Sequence, residues 1–151
     1  MDSVDYKILK ILQKNARESA SNISKEIHLS VSAVTERIRK MEDSGVIKGY
    51  TIVVDDRKVG FAMTVLMEVR LENPRFYDGF VRTVEDLDEI VACYYKTGEF
   101  DLLLKISCDS GDELADIHKK IMNIDGVFDT KTDIIVKNVK NTYSAIKKAD
   151  K

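Results

Sequence analysis

The sequence predicts an α+β chain: three short helices at the front, then strands and helices in the order β-α-β-β-α-β. Three observations carry this. Up to Met41 the apolar residues recur three and four apart, the spacing of one helix face. Residues suited to helix caps separate those runs. From Gly49 the period drops towards two, the alternation of a half-buried strand.

In the front part, Ile8, Leu9, Ile11 and Leu12 form a helical stripe over Asp5–Leu12, with Val4 leading in. It stops near Asn15–Ala16. Ser19 is placed to cap a second helix, whose Ile23 and Ile27 share a face. Leu29 falls in a tight break, and Ser30 is placed to cap a third helix. There Val31, Val34, Ile38 and Met41 make a narrow stripe fit to pack on the first two helices. Gly45 suits the C-terminal end. Tyr50–Val54 reads as a short connecting strand, and Asp55–Asp56 with Gly60 mark a turn and linker.

In the rear part, Met63–Leu71 alternates Val65, Met67, Val69 and Leu71 with Glu68 and Arg70. Asn73-Pro74 opens a helix, since proline is tolerated in a first turn, and Phe76, Phe80 and Val84 continue it. Ile90–Thr97 and Asp101–Cys108 are strands joined by the short loop Gly98–Phe100. Ser110-Gly-Asp-Glu113 is a capping box ahead of Leu114, Ile117 and Ile121. Asp125-Gly126 turns into a last strand, Val127–Val136. This order predicts the ferredoxin-like split-βαβ arrangement, one sheet with two helices on one face, whose bare face invites a second copy. The expected division is 1–48 for the helical domain, 49–60 for the connector and 61–151 for the ferredoxin-like domain.

Composition excludes several classes. At 151 residues with 44% hydrophobic and 33% charged side chains, the chain has material for a real core. No apolar run approaches the ~20 residues that span a bilayer, and MDSVDYKILKIL does not read as a signal peptide. Cys93 and Cys108 lack metal-site spacing and read as reduced thiols of a cytoplasmic protein. No cofactor or metal is expected. The net charge of −2 conceals an asymmetry. Residues 1–60 carry 11 Lys and Arg against 9 Asp and Glu, or +2; residues 61–151 carry 13 against 17, or −4. A basic front on an acidic rear suits a chain that touches nucleic acid at the front alone.

The third helix sharpens that expectation. Opposite its apolar stripe stand Ser32, Ala33, Glu36, Arg39 and Lys40, with Thr35 and Arg37 on the flanks and Ser30 at the start. Short hydrogen-bonding side chains in the first turns let a backbone approach base edges, and later cations meet phosphates. The preceding helix, one tight turn away, supplies the geometry of a helix-turn-helix. By pattern alone a solvated face, with Glu36 pairing to Arg39 or Lys40, competes with this reading.

These residues resemble the Lrp/AsnC (feast/famine) family of regulators. The likeness runs through Asp5-Tyr-Lys-Ile-Leu with Leu12, Leu29-Ser30, Glu36-Arg-Ile-Arg-Lys-Met-Glu42 and Gly45-Val-Ile-Lys-Gly-Tyr50-Thr51. Further back it includes Thr97-Gly-Glu-Phe-Asp-Leu-Leu103 and Gly126-Val-Phe-Asp-Thr130-Lys-Thr132. The resemblance implies a winged-helix-like helix-turn-helix over Ala20–Arg39, a connecting strand and a RAM domain. It also implies double-stranded DNA with a pseudo-palindromic operator as partner, and homodimers that often assemble into octamers. A small amino-acid effector would bind between subunits near Gly98, Glu99, Phe100 and Asp101. Thr130 and Thr132 offer hydroxyls on one face of the last strand, and Asp101 suits an α-ammonium. Two positions depart from the family pattern: His28 stands where the helix-helix break commonly carries glycine, and Val31 where some relatives have proline.

Other functions fit less well. Sirohaem decarboxylases share the scaffold, but the ferredoxin-like part holds one histidine, His118, and the DNA-reading helix is complete. An architectural DNA-wrapping protein wants cations all round, which the acidic rear denies. The expectation is a transcription regulator and not an enzyme.

Overall fold

The computed structural model describes residues 1–146. Among the described residues the chain forms two units: Met1–Val53 together with 140–146, and Val54–Val139.

The first unit holds helices α1 (Ser3–Lys14), α2 (Ala20–Ile27) and α3 (Val31–Asp43). Each begins on an oxygen that satisfies otherwise unpaired N–H groups: Asp2 for α1, Ser19 for α2 and Ser30 for α3. Ile8 and Leu12 of α1, Ile23 of α2 and Val34 and Met41 of α3 meet in one core. Truncating a fully buried member such as Ile8 to Ala would cost roughly 2–5 kcal/mol, through lost burial and the cavity left behind. Between α2 and α3 the chain reverses at His28, which adopts the left-handed conformation (φ 57°, ψ 47°). There the N–H groups of His28 and Leu29 both reach back to the Ser24 carbonyl.

Two expectations for this unit are corrected. Val31 does not join the apolar stripe; it is exposed, because as the first residue of α3 it lies a full turn ahead of Val34, where packing begins. The connecting strand Tyr50–Val54 does not form. Ile52 and Val53 are 80% and 74% exposed, and no strand pairs with them among the described residues. Strand-forming side chains need a hydrogen-bonded neighbour, and the chain offers none there. A 3₁₀ turn follows at Asp56–Val59, capped by Asp55 and closed by Gly60 in the left-handed region.

The second unit is a four-stranded antiparallel sheet in the order β2-β3-β1-β4, from β1 (Met63–Leu71), β2 (Ile90–Tyr95), β3 (Leu102–Cys108) and β4 (Val127–Ile134). Helices α4 (Tyr77–Glu85) and α5 (Gly111–Met122) pack on one face. That face presents Val65, Met67 and Val69 of β1 and Leu102, Leu104, Ile106 and Cys108 of β3, under Phe80, Val84, Ile117 and Ile121. Proline at 74 yields a 3₁₀ turn, Pro74–Phe76, before α4 proper. The Ser110 hydroxyl accepts from the Glu113 N–H, but the Glu113 carboxylate reaches back to the Asp109 N–H, one residue beyond the expected box.

Alternation sends Leu66, Glu68 and Arg70 to the opposite face, where Leu103, Lys105 and Tyr94 stand beside them in register. Glu68 is held there between Lys96 at 2.8 Å and Lys131 at 3.7 Å. The Lys96 hydrogen bond keeps its carboxyl below the usual range. Tyr95, on the helix side, meets Tyr77 edge to face at 5.2 Å. Cys93 and Cys108 are both free, the latter buried, where loss of hydration raises its thiol pKa.

Candidate nucleic-acid interface

Helix α3 turns Val34 and Met41 inward and leaves Ser32, Thr35, Arg39 and Lys40 exposed. The Ser30 hydroxyl accepts from the Ala33 N–H at 3.2 Å and lies 3.1 Å from the Ser32 hydroxyl, so the first turn is tightly held. The Thr35 hydroxyl donates to the Val31 carbonyl at 2.9 Å. Glu36 accepts twice from Arg39 Nη2, at 2.9 and 3.1 Å, and lies 3.7 Å from Lys40 Nζ. The Arg39 hydrogen bond, above all, lowers the Glu36 carboxyl pKa. The outer face thus runs from small hydroxyls through one acid to two exposed cations.

Arg37 behaves differently from Arg39. Its Nη1 donates to Asp2 Oδ2 at 2.8 Å and to Asp5 Oδ1 at 2.7 Å, both at the start of α1. Those carboxylates also cap α1: Asp2 Oδ1 accepts from the Val4 and Asp5 N–H groups, and Asp5 Oδ2 accepts from the Asp2 N–H. Asp2 has its pKa lowered by the Asp5 N–H first and by Arg37 next. Sequence reasoning missed this cluster; Asp2 and Asp5, three apart, signal a capping box, but nothing in the sequence points them at a residue 32 positions on. Near the other end of α3, the Tyr50 phenol donates to Glu42 Oε1 at 2.7 Å.

The residues expected at an effector site divide into two groups. Asp101 ties the β2–β3 turn to β1: its N–H donates to the Val69 carbonyl at 2.9 Å, and its Oδ2 accepts from the Leu71 N–H at 2.8 Å. Gly98 supplies the turn's positive φ of 126°. Glu99 pairs with Arg70 at 2.8 Å, and the Arg70 guanidinium lies 4.8 Å above the nearly buried Phe100 ring. The Arg70 Nε is buried without a hydrogen-bond partner. Thr130 and Thr132 stand on the far edge strand, β4, opposite Val69 and Met67, and so on the helix-covered face. The His118 Nε2 lies 2.9 Å from the Thr130 hydroxyl. The two groups thus flank β1 at Val69, whose carbonyl accepts from the Asp101 N–H and which stands opposite Thr130.

Comparison with known proteins decides the wider identity. Residues 1–48 match a winged helix-turn-helix DNA-binding domain and residues 64–145 the Lrp/AsnC ligand binding domain. The regulatory protein AsnC of Haemophilus influenzae is 32% identical over 142 residues, covering 91% of this chain and 93% of that protein.

The chain belongs to the Lrp/AsnC family.

The regulator LrpB of Bacillus subtilis is 38% identical over 114 residues, 76% of each chain. Among solved structures, a transcriptional regulator of Neisseria meningitidis in complex with L-Met has a TM-score of 0.91 at 25% identity, covering 96% of both chains. Escherichia coli AsnC has 0.87 at 29% identity, covering 95% of this chain and 97% of that one. As an Lrp/AsnC member, the chain is a DNA-binding transcriptional regulator with a ligand-binding domain. These relatives are regulators and not enzymes, which removes the decarboxylase alternative. Among the described residues no helix is long and apolar enough to cross a membrane, and no group of His, Cys, Asp and Glu is arranged to hold a metal.

Proposed function

We propose that this chain is a sequence-specific, metabolite-responsive regulator whose α3 reads a pseudo-palindromic operator from the major groove, as a homodimer that can assemble further into octamers. The reading assigns 1–48 to DNA, 49–60 to a connector and 61–151 to effector binding and assembly, with action in the cytoplasm. The observation that carries it is the order of side chains on the outer face of α3. Ser30, Ser32, Ala33 and Thr35 are small enough for the backbone to approach base edges. Glu36 follows, and Arg39 and Lys40 extend where phosphates line the groove. Two such helices in a dimer would read half-sites about one turn, ~10 bp, apart.

The effector reading is a small amino acid held between subunits by Gly98, Glu99, Phe100 and Asp101 of one and Thr130 and Thr132 of another. The match of 64–145 to the Lrp/AsnC ligand binding domain supports a site on this domain. The Neisseria relative in complex with L-Met supports the ligand class. Effector binding would shift a population of assemblies rather than perform chemistry.

The test is binding to duplexes selected by the full chain from a randomised pool, across a salt series, with and without a panel of free amino acids. The Arg39→Ala/Lys40→Ala double variant should bind more weakly and flatten the salt dependence by about two phosphate contacts' worth of slope. Unchanged affinity and slope would overturn the groove assignment. Effector binding is read separately, by calorimetry with each amino acid and by the oligomer distribution it produces.

A further inference from the structure

We infer that Arg37, although it lies on the recognition helix, does not contact DNA: it is a positioning residue that locks α3 against the start of α1 through Asp2 and Asp5. The inference rests on the proposal that α3 docks on DNA.

Oxygen by oxygen, the cluster leaves little free. Asp2 uses Oδ1 for the Val4 and Asp5 N–H groups and Oδ2 for Arg37; Asp5 uses Oδ2 for the Asp2 N–H and Oδ1 for Arg37. Both carboxylates thus serve as cap and as counter-charge at once, and a single guanidinium nitrogen closes the ring. The Asp5 side chain is only 13% exposed, and Arg37 is half as exposed as Arg39, at 32% against 65%. Nη1 spends both of its N–H bonds on the two carboxylates, so a phosphate could meet only Nη2 or Nε, beside two acids that outnumber the one cation and repel it. Arg39 and Lys40 share one acid, Glu36, so cations outnumber acids there, and the pair is more open to water, where such bonds are weak.

A mechanical consequence follows. The Val34 and Met41 packing turns the apolar stripe of α3 to the core, but apolar contact alone holds that rotation loosely. Charge-assisted hydrogen bonds are directional, and this pair fixes the rotation more finely. That rotation decides which side chains meet base edges.

The experiment uses the full chain and two DNA probes, a selected duplex and a random duplex, each over a salt series. Removing an acid from a DNA-binding surface ordinarily strengthens binding to a polyanion. For Asp5→Asn the positioning role predicts the opposite: affinity for the selected duplex falls, by roughly tenfold for the loss of one charge-assisted bond. Arg37→Ala should weaken selected-duplex binding with its salt slope unchanged, whereas loss of a phosphate contact lowers the slope by about one. Combining the two substitutions should cost no more than Arg37→Ala alone. Arg37→Lys, which places one cationic nitrogen between the carboxylates, should restore most of the affinity, and it guards against variants that fail to fold. Tighter binding by Asp5→Asn, or a slope lowered by one in Arg37→Ala, overturns the inference. The Arg39→Ala/Lys40→Ala variant run beside them reports on the groove assignment itself, so the two failures are distinguishable.

Discussion

Phe76 lies across the α-carbon of Gly126 so closely that a methyl group there would sit 2.0 Å from the ring's Cγ. Gly126 also holds a positive φ of 84°, and its carbonyl accepts from the Glu72 N–H at 2.8 Å, joining the turn before β4 to the end of β1. Gly126→Ala should therefore destabilise the second unit by about 2–4 kcal/mol, from left-handed strain together with overpacking. Thermal unfolding measures it, and Phe76→Ala in the same chain should recover part of the loss. If Gly126→Ala melts like the parent, the close packing has no energetic weight.

Tyr50 gives a titration signature. Loss of hydration around its hydroxyl, then the hydrogen bond to Glu42 and that carboxylate's charge, push its pKa up to about 12. A raised folded-state pKa means that the native chain holds the proton more tightly. This contribution to stability is full below the ordinary tyrosine value of 10.0 and is lost as pH rises towards 12. Ultraviolet titration should show a late-ionising component from Tyr50, and Glu42→Gln should move it earlier. A spectrum with no late component would contradict the bond.

His28 bends the chain between α2 and α3 in a conformation that costs a β-carbon roughly 1–2 kcal/mol. His28→Gly removes the clash and adds unfolded-state entropy, so a net gain of about 0.5–1 kcal/mol is expected in denaturant unfolding. His28→Ala keeps the clash and should show no such gain.

Glu36 restrains the two cations that the groove reading needs. Glu36→Gln removes the charge that holds Arg39 and Lys40 and reduces repulsion from phosphates. Affinity for random duplex should rise several-fold at low salt, and preference for the selected duplex over random should narrow. A uniform loss on both duplexes would instead mark Glu36 as a contact required by every sequence.

Much of the fold was legible because the two periods are clean. Ile8, Ile23 and Val34 fall where a helical stripe puts them, and Val65, Met67 and Val69 where a pleated face does. Tyr50–Val54 misled because strand propensity records how a side chain fits a sheet and says nothing of whether a neighbour is present. Val31 misled because helical spacing does not reveal where the packing partner ends. The outer face of α3 could be read as a set, but the partners within it could not: Arg37 and Arg39 are equivalent by composition, and only the fold sends one to Asp2 and Asp5 and the other to Glu36. The same limit applied to Thr130, whose hydroxyl meets His118 through an approach of α5 to β4 that sequence spacing does not encode.

The hydroxyl proton of Thr35 is already committed to the Val31 carbonyl. If α3 docks as proposed, what this side chain can offer a base pair is therefore its lone pairs. In the major groove, lone pairs find partners in the exocyclic amines, N6 of adenine and N4 of cytosine, and meet only repulsion at O6 of guanine and O4 of thymine. Duplexes recovered from a randomised pool should carry an amine-bearing base on the contacted strand at one position of each half-site, and Thr35→Val should erase that bias while keeping the shape of the side chain.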